Sequence, residues 1–69
     1  MQSIESKKEI LNELPVFKGT RVPIRNLFDY LIAGERVRDF LDDFPTVSFE
    51  QVRQVLQSAE VAIEKNQAA

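Results

Sequence analysis

Residues 15–24 read Pro15-Val16-Phe17-Lys18-Gly19-Thr20-Arg21-Val22-Pro23-Ile24. Two apolar pieces, Val16-Phe17 and Val22 with Ile24, flank Lys18-Gly19-Thr20. Gly19 can take a positive φ, which suits a tight reversal. The Val and Phe beside it suit extended chain. Pro23 holds φ near the helical value and lacks the N–H that a helix start leaves unpaired. The stretch therefore predicts a small β-ribbon that feeds a helix beginning at about Pro23. Lys18, Arg21 and Arg25 place a basic cluster on it. The plainer reading of the same residues is a solvated turn.

Working outward, the whole chain has 69 residues, which predicts one domain spanning 1–69. A domain of this size buries only about 60% of its extended surface. It has no cysteine and no histidine, so no disulfide can staple it and neither residue type can ligate a metal. Small chains without such supports often gain stability by self-association. Lacking the commonest general base and the strongest nucleophile, the chain is a poor enzyme candidate. No apolar run approaches the ~20 residues of a membrane span and no leader pattern opens the chain, so a cytoplasmic protein is expected.

The net charge of −2 is unevenly spread. Residues 1–25 hold five basic and three acidic side chains, 26–50 two and six, and 51–69 two of each. A net negative charge argues against a strongly basic nucleic-acid binder. The positive N-terminal part still fits a local DNA-facing patch.

Before the ribbon, Ser6-Lys7-Lys8-Glu9 has capping-box form, and Ile10, Leu11 and Leu14 can follow on a short helix. Extended chain over Glu9-Ile10-Leu11 reads equally well. Residues 1–8 and 65–69 are expected to be mobile. After Pro23, Ile24, Leu27, Phe28 and Leu31 share one helical face, and Ala33-Gly34 ends it. Val37, Phe40, Leu41 and Phe44 repeat the spacing on a second helix that Pro45 stops. Ser48 and Gln51 form a capping box for the third helix, with Val47 and Val52 at the staple positions. Phe49, Val52, Leu56, Ala59 and Ile63 are its predicted buried stripe. The fold class is thus mainly α, a β-ribbon and then three helices, the last two with helix-turn-helix dimensions.

Three groups are candidates for chemistry. Asp39, Asp42 and Asp43 are the acidic cluster, and Asp39 with Asp43 share a face at i, i+4. A Mg²⁺ site would need more oxygen ligands, so a solvated face is the better reading and no metal or cofactor is expected. On helix three, Glu50, Arg53, Gln54 and Gln57 fall away from the predicted stripe. Gln and Arg are types that reach adenine and guanine edges. Ser48 and the helix start can meet a phosphate. The DNA-facing set is then Lys18, Thr20, Arg21 and Arg25 on the ribbon, with Ser48, Gln51, Arg53 and Gln54 on helix three. The plainer reading is a solubilising polar face. Tyr30 lies off its helix's main stripe and is read as a partner contact or as an ordinary half-exposed tyrosine.

The ordered pieces Gly19-Thr20-Arg21-Val22-Pro23-Ile24, Ala33-Gly34, Asp43-Phe44-Pro45 and Ser48 resemble a bacterial family. It is the VapB-like antitoxin family catalogued as domain of unknown function 433, and the resemblance runs from about Glu9 to Glu60. The chain departs from it at Asn12-Glu13-Leu14, where a Gly-Gly pair is usual, and at Glu35, where Ser or Thr usually opens the second helix. The resemblance implies a homeodomain-like or winged helix-turn-helix fold. It also implies an antitoxin of a type II toxin–antitoxin pair, whose toxin is a PIN-like ribonuclease.

With that role, an antitoxin that also binds its operator DNA as a homodimer is the leading reading. A protein-interaction module that inhibits a partner without touching DNA is the alternative, and a metal-dependent nuclease using the aspartates trails both. Self-association is expected through an exposed ribbon edge at Val16, Phe17 and Val22. Toxin binding is expected on Ala59, Glu60, Val61, Ala62, Ile63 and Glu64, because the ribbon and the start of helix three are assigned to DNA. The plainer alternative is that these residues finish the chain's own core.

Overall fold

The structure, a computed structural model, describes residues 4–6 and 14–67. It is mainly helical. Strands β1 (Ile4–Ser6) and β2 (Pro15–Phe17) precede helices α1 (Ile24–Ile32), α2 (Val37–Asp43) and α3 (Phe49–Gln67). The short helix considered between Ser6 and Leu14 falls largely on residues 7–13, outside the described residues. Residues 1–3 and 68–69, within the ends expected to be mobile, lie outside them too.

The ribbon forms around Gly19, which takes φ 77°. The Phe17 N–H donates to the Val22 carbonyl at 3.0 Å, and Val16 bridges Pro23 in antiparallel fashion. The second arm is no more than this bridge, because the chain turns into α1 at once. Pro23 is the residue before the helix, with φ −64° and ψ 141°, so α1 starts one position later than expected. The proline's fixed φ suits either place, and ψ alone decides between them.

The other side of β2 carries β1, an element the sequence reading did not assign. The pair is antiparallel, with Ile4 opposite Phe17, Glu5 opposite Val16 and Ser6 opposite Pro15. This overturns the expected open ribbon edge. Val16 and Phe17 are fully buried and Val22 is half-buried. Three-residue strands carry too weak a periodic signal to be read locally; pairing and burial make them.

Thr20 sits inside the turn, 8% exposed. Its hydroxyl donates to the Phe17 carbonyl at 2.7 Å and accepts the Val22 N–H at 3.0 Å. Replacing it with isosteric valine would leave the Val22 N–H without its acceptor. Thr20→Val should therefore cost ~1–3 kcal/mol, read as a lower urea midpoint at unchanged slope. An unchanged midpoint would show that water replaces the hydroxyl without loss.

Each helix end has a local cause. Gly34, at φ 89°, closes α1: its N–H donates to the Leu31 carbonyl and the Glu35 N–H to the Tyr30 carbonyl, a Schellman closure. At the start of α2 the Asp39 carboxylate accepts the Arg36 N–H at 2.9 Å. That bond holds the Asp39 carboxyl below its ordinary range, and the Arg36 guanidinium adds to it. Arg36, not Glu35, precedes the helix. At α3 the Ser48 hydroxyl accepts the Gln51 N–H and the Gln51 side-chain carbonyl accepts the Ser48 N–H, both at 3.1 Å. The predicted capping box is in place, and Val47 and Val52 are both buried beside it.

Phe17, Ile24, Leu27, Phe40, Val47, Val52 and Val55 form the core. Phe40 is its hub, with ring centroids 5.8 Å from Phe17, 5.5 Å from Tyr30 and 5.0 Å from Phe44. Tyr30 is thereby an internal contact. Its hydroxyl donates to Asp43 Oδ2 at 2.5 Å, joining α1 to the end of α2. This bond to a carboxylate raises the phenol above its ordinary pKa.

The buried stripe of α3 differs from the expected one. Val52 and Val55 are buried and Leu56 and Ala59 half-buried, whereas Phe49 is 61% and Ile63 56% exposed. The core-facing direction is rotated toward Val55, which joins Ile24, Leu27 and Phe40 in the core cluster. α3 continues to Gln67, and residues 60–66 are all exposed. They do not finish the chain's own core, which was the plainer reading of the segment.

Candidate nucleic-acid interface

Two regions carry the candidate DNA-facing residues, the turn of the ribbon and the first two turns of α3. Helical spacing and the turn set their positions. Lys18 and Arg21 flank Gly19-Thr20 and are exposed; Arg25 is exposed on the first turn of α1. Ser48, Gln51, Arg53 and Gln54 run from the residue before α3 into its second turn.

One contact brings the two regions together. Gln51 Nε2 donates to the Lys18 carbonyl at 3.0 Å, across 33 residues of chain. The same amide's oxygen caps α3, so one side chain serves both as helix cap and as clamp on the basic turn. The amide sets the turn beside the N-terminus of α3, where the helix dipole adds partial positive charge. The result sets the Lys18 end of the basic turn beside the α3 start, a geometry suited to phosphate oxygens.

Not every candidate is displayed outward. The Thr20 hydroxyl and the Ser48 and Gln51 side chains are engaged within the fold. Arg53 forks onto Glu50: Nε donates to Oε2 at 2.8 Å and Nη2 to Oε1. The fork holds the Glu50 carboxyl below its ordinary range and pushes Arg53 up. Both side chains are about half exposed, so the pair is solvent-screened and exchangeable. Gln54 is half-buried.

The acidic residues gather elsewhere. Asp29, Glu35, Asp39, Asp42 and Asp43 line an open groove of about 590 Å³ with Tyr30, between the end of α1 and α2. The sequence reading joined only the last three aspartates, since Asp29 and Glu35 are brought in by helix packing. Asp39 caps its helix and Asp43 accepts from Tyr30. Among the described residues no group of three or more carboxylates is set to hold a metal ion. No described helix is long and apolar enough to cross a membrane.

The candidate toxin-facing segment lies at the far end of α3. Ala59 is half-buried, while Glu60, Val61, Ala62, Ile63 and Glu64 are exposed. Beside it a second, smaller groove of about 270 Å³ runs between Val37, Phe49, Leu56, Arg53 and Glu60.

A comparison with curated proteins finds no match, nor does one with solved structures. A family model does match, over residues 4–59. It begins at β1, several residues before Glu9 where the motif resemblance starts, so the strand that covers β2 is inside the matched region. Matched over most of its length, from β1 through the half-buried Ala59, this chain belongs to the family described as "Protein of unknown function (DUF433)".

Proposed function

We propose that the chain is the antitoxin of a type II toxin–antitoxin pair, neutralising a PIN-like ribonuclease by direct binding and binding its own operator DNA as a homodimer. In this reading α2, the turn at Pro45-Thr46-Val47 and α3 act as a homeodomain-like helix-turn-helix. The observation that carries the DNA half is the Gln51–Lys18 contact, which sets the basic turn against the start of α3. Lys18, Arg21 and Arg25 hold phosphates; Arg53, once released from Glu50, and Gln54 approach base edges in the major groove. The exposed end of α3 supports the toxin half, which is otherwise carried by the motif resemblance to VapB-like antitoxins.

The test is binding to the chain's own promoter fragment against random DNA over a range of salt. Arg21→Ala should weaken binding to all sequences and lower the salt slope by about one. Gln54→Ala should relax preference at one position by ~1–3 kcal/mol. Random DNA competing as well as the promoter fragment would sink specific readout.

A second reading, an interaction module that inhibits a partner without touching DNA, is favoured by one observation. Thr20, Ser48, Gln51 and Arg53 are all committed to internal partners. Under that reading no salt-dependent DNA binding appears while inhibition of the toxin persists.

A further inference from the structure

The outer flank of α3 carries a stripe that its own core uses only at Leu56, which packs half-buried against it. Phe49, Leu56 and Ile63 recur every seven residues, so they drift only ~20° per step around the helix. Phe49 and Ile63 are more than half exposed and Leu56 is half-buried. Arg53 and Glu60 run alongside, also seven apart. The Phe49 end of the stripe borders the groove with Val37, and the Ile63 end projects past the core.

We propose that this stripe is the contact between two copies of the chain, packed antiparallel about a two-fold axis at Leu56. Position 56 is the midpoint of 49 and 63. In that arrangement Leu56 meets its own equivalent, and Ile63 of each copy lies over Phe49 and the Val37 groove of the other. Arg53 of one copy then falls within one residue, about 1.5 Å along the axis, of Glu60 of the other. Arg53 and Glu60 lie on one flank of the stripe, and the antiparallel two-fold brings that flank of both copies to the same side of the seam. A parallel arrangement would put the two flanks on opposite sides, so the charge pair favours the antiparallel one. The surface is self-complementary, as a two-fold contact requires. Val61 lies on the flank away from the core and stays outside the contact. The inference rests on the homodimer of the proposed reading and names its contact; that contact takes up Arg53, so in such a dimer the approach to base edges is left to Gln54.

Sedimentation equilibrium of the full chain, with no other protein present, tests it. The wild type should be a dimer in the micromolar range. Ile63→Glu, at an exposed site, should weaken it at least tenfold without changing the far-ultraviolet circular dichroism. Arg53→Glu and Glu60→Arg should each weaken it several-fold, and the double swap should restore it, since each copy then offers the opposite charge. A wild type that stays monomeric to about a millimolar overturns the proposal; the stripe is then open to a different protein. A dimer indifferent to Ile63→Glu and to both charge reversals also overturns it, because two copies then meet elsewhere.

Discussion

Phe40→Ala should leave the chain largely unfolded at 25 °C. Phe40 is fully buried and stands against Phe17, Tyr30 and Phe44. Through those rings it connects β2, α1 and the end of α2. Truncating a buried phenylalanine costs ~3–5 kcal/mol, the transfer loss plus the cavity left behind. The edge-on contact with Tyr30 adds some tenths to one kcal/mol beyond its area. A single core in a chain under about 70 residues rarely supplies more than ~3–5 kcal/mol in total. Loss and reserve are therefore of the same size. Thermal and urea melts followed by circular dichroism check this, with Phe40→Leu, which leaves a much smaller cavity, as the control that should still fold. A cooperative Phe40→Ala transition within about 1 kcal/mol of wild type would mean that the ring cluster is not the core's hub.

The second large effect concerns toxin inhibition. On the proposed antitoxin reading, deleting residues 60–69 should weaken inhibition of a PIN-like ribonuclease a hundredfold or more, on the order of two lost anchoring side chains. The cut is placed after Ala59 because Ala59 is half-buried whereas 60–66 are exposed and lie outside the core. The truncated domain should remain folded, its melting transition lowered only by the self-association that Glu60 and Ile63 supplied. An exposed apolar helix face can seat in a partner's groove, and Val61 lies on the flank that self-pairing would leave open. Val61→Arg should weaken inhibition markedly without changing the oligomeric state. That variant separates toxin contact from self-association, which Ile63→Glu removes instead. A folded truncation that inhibits fully would place the toxin surface elsewhere, with the acidic groove of Asp29, Glu35 and Asp42 as the next surface to mutate.

Local chemistry was legible in the residues themselves. Ser48 and Gln51 are three apart, so their reciprocal cap needs nothing but the helix they start. Gly34 closes α1 because only a residue without Cβ takes φ 89° cheaply. Gly19, Pro23 and Pro45 punctuate the chain where their backbone limits demand, and the spacing of Ile24, Leu27 and Phe40 put them in the core. Family membership was equally legible, because the ordered motifs are a property of the chain and not of its packing.

What remained for the tertiary structure was every choice between distant partners. β1 is three residues of no distinctive pattern until β2 pairs with it. Tyr30 reads as an outward residue until Asp43 and Phe44 arrive from α2. The amide of Gln51 has one local use, which the sequence shows, and one 33 residues away at Lys18, which it does not. Phe49 and Val55 exchange roles for the same reason. A stripe with alternating steps of three and four marks a broad apolar sector of α3, and which part of that sector is buried depends on where α1 and α2 lie. Burial free energy follows the area actually removed from water, and for a helix that area is settled by its neighbours. They cover Val55 and leave Phe49 and Ile63 in solvent.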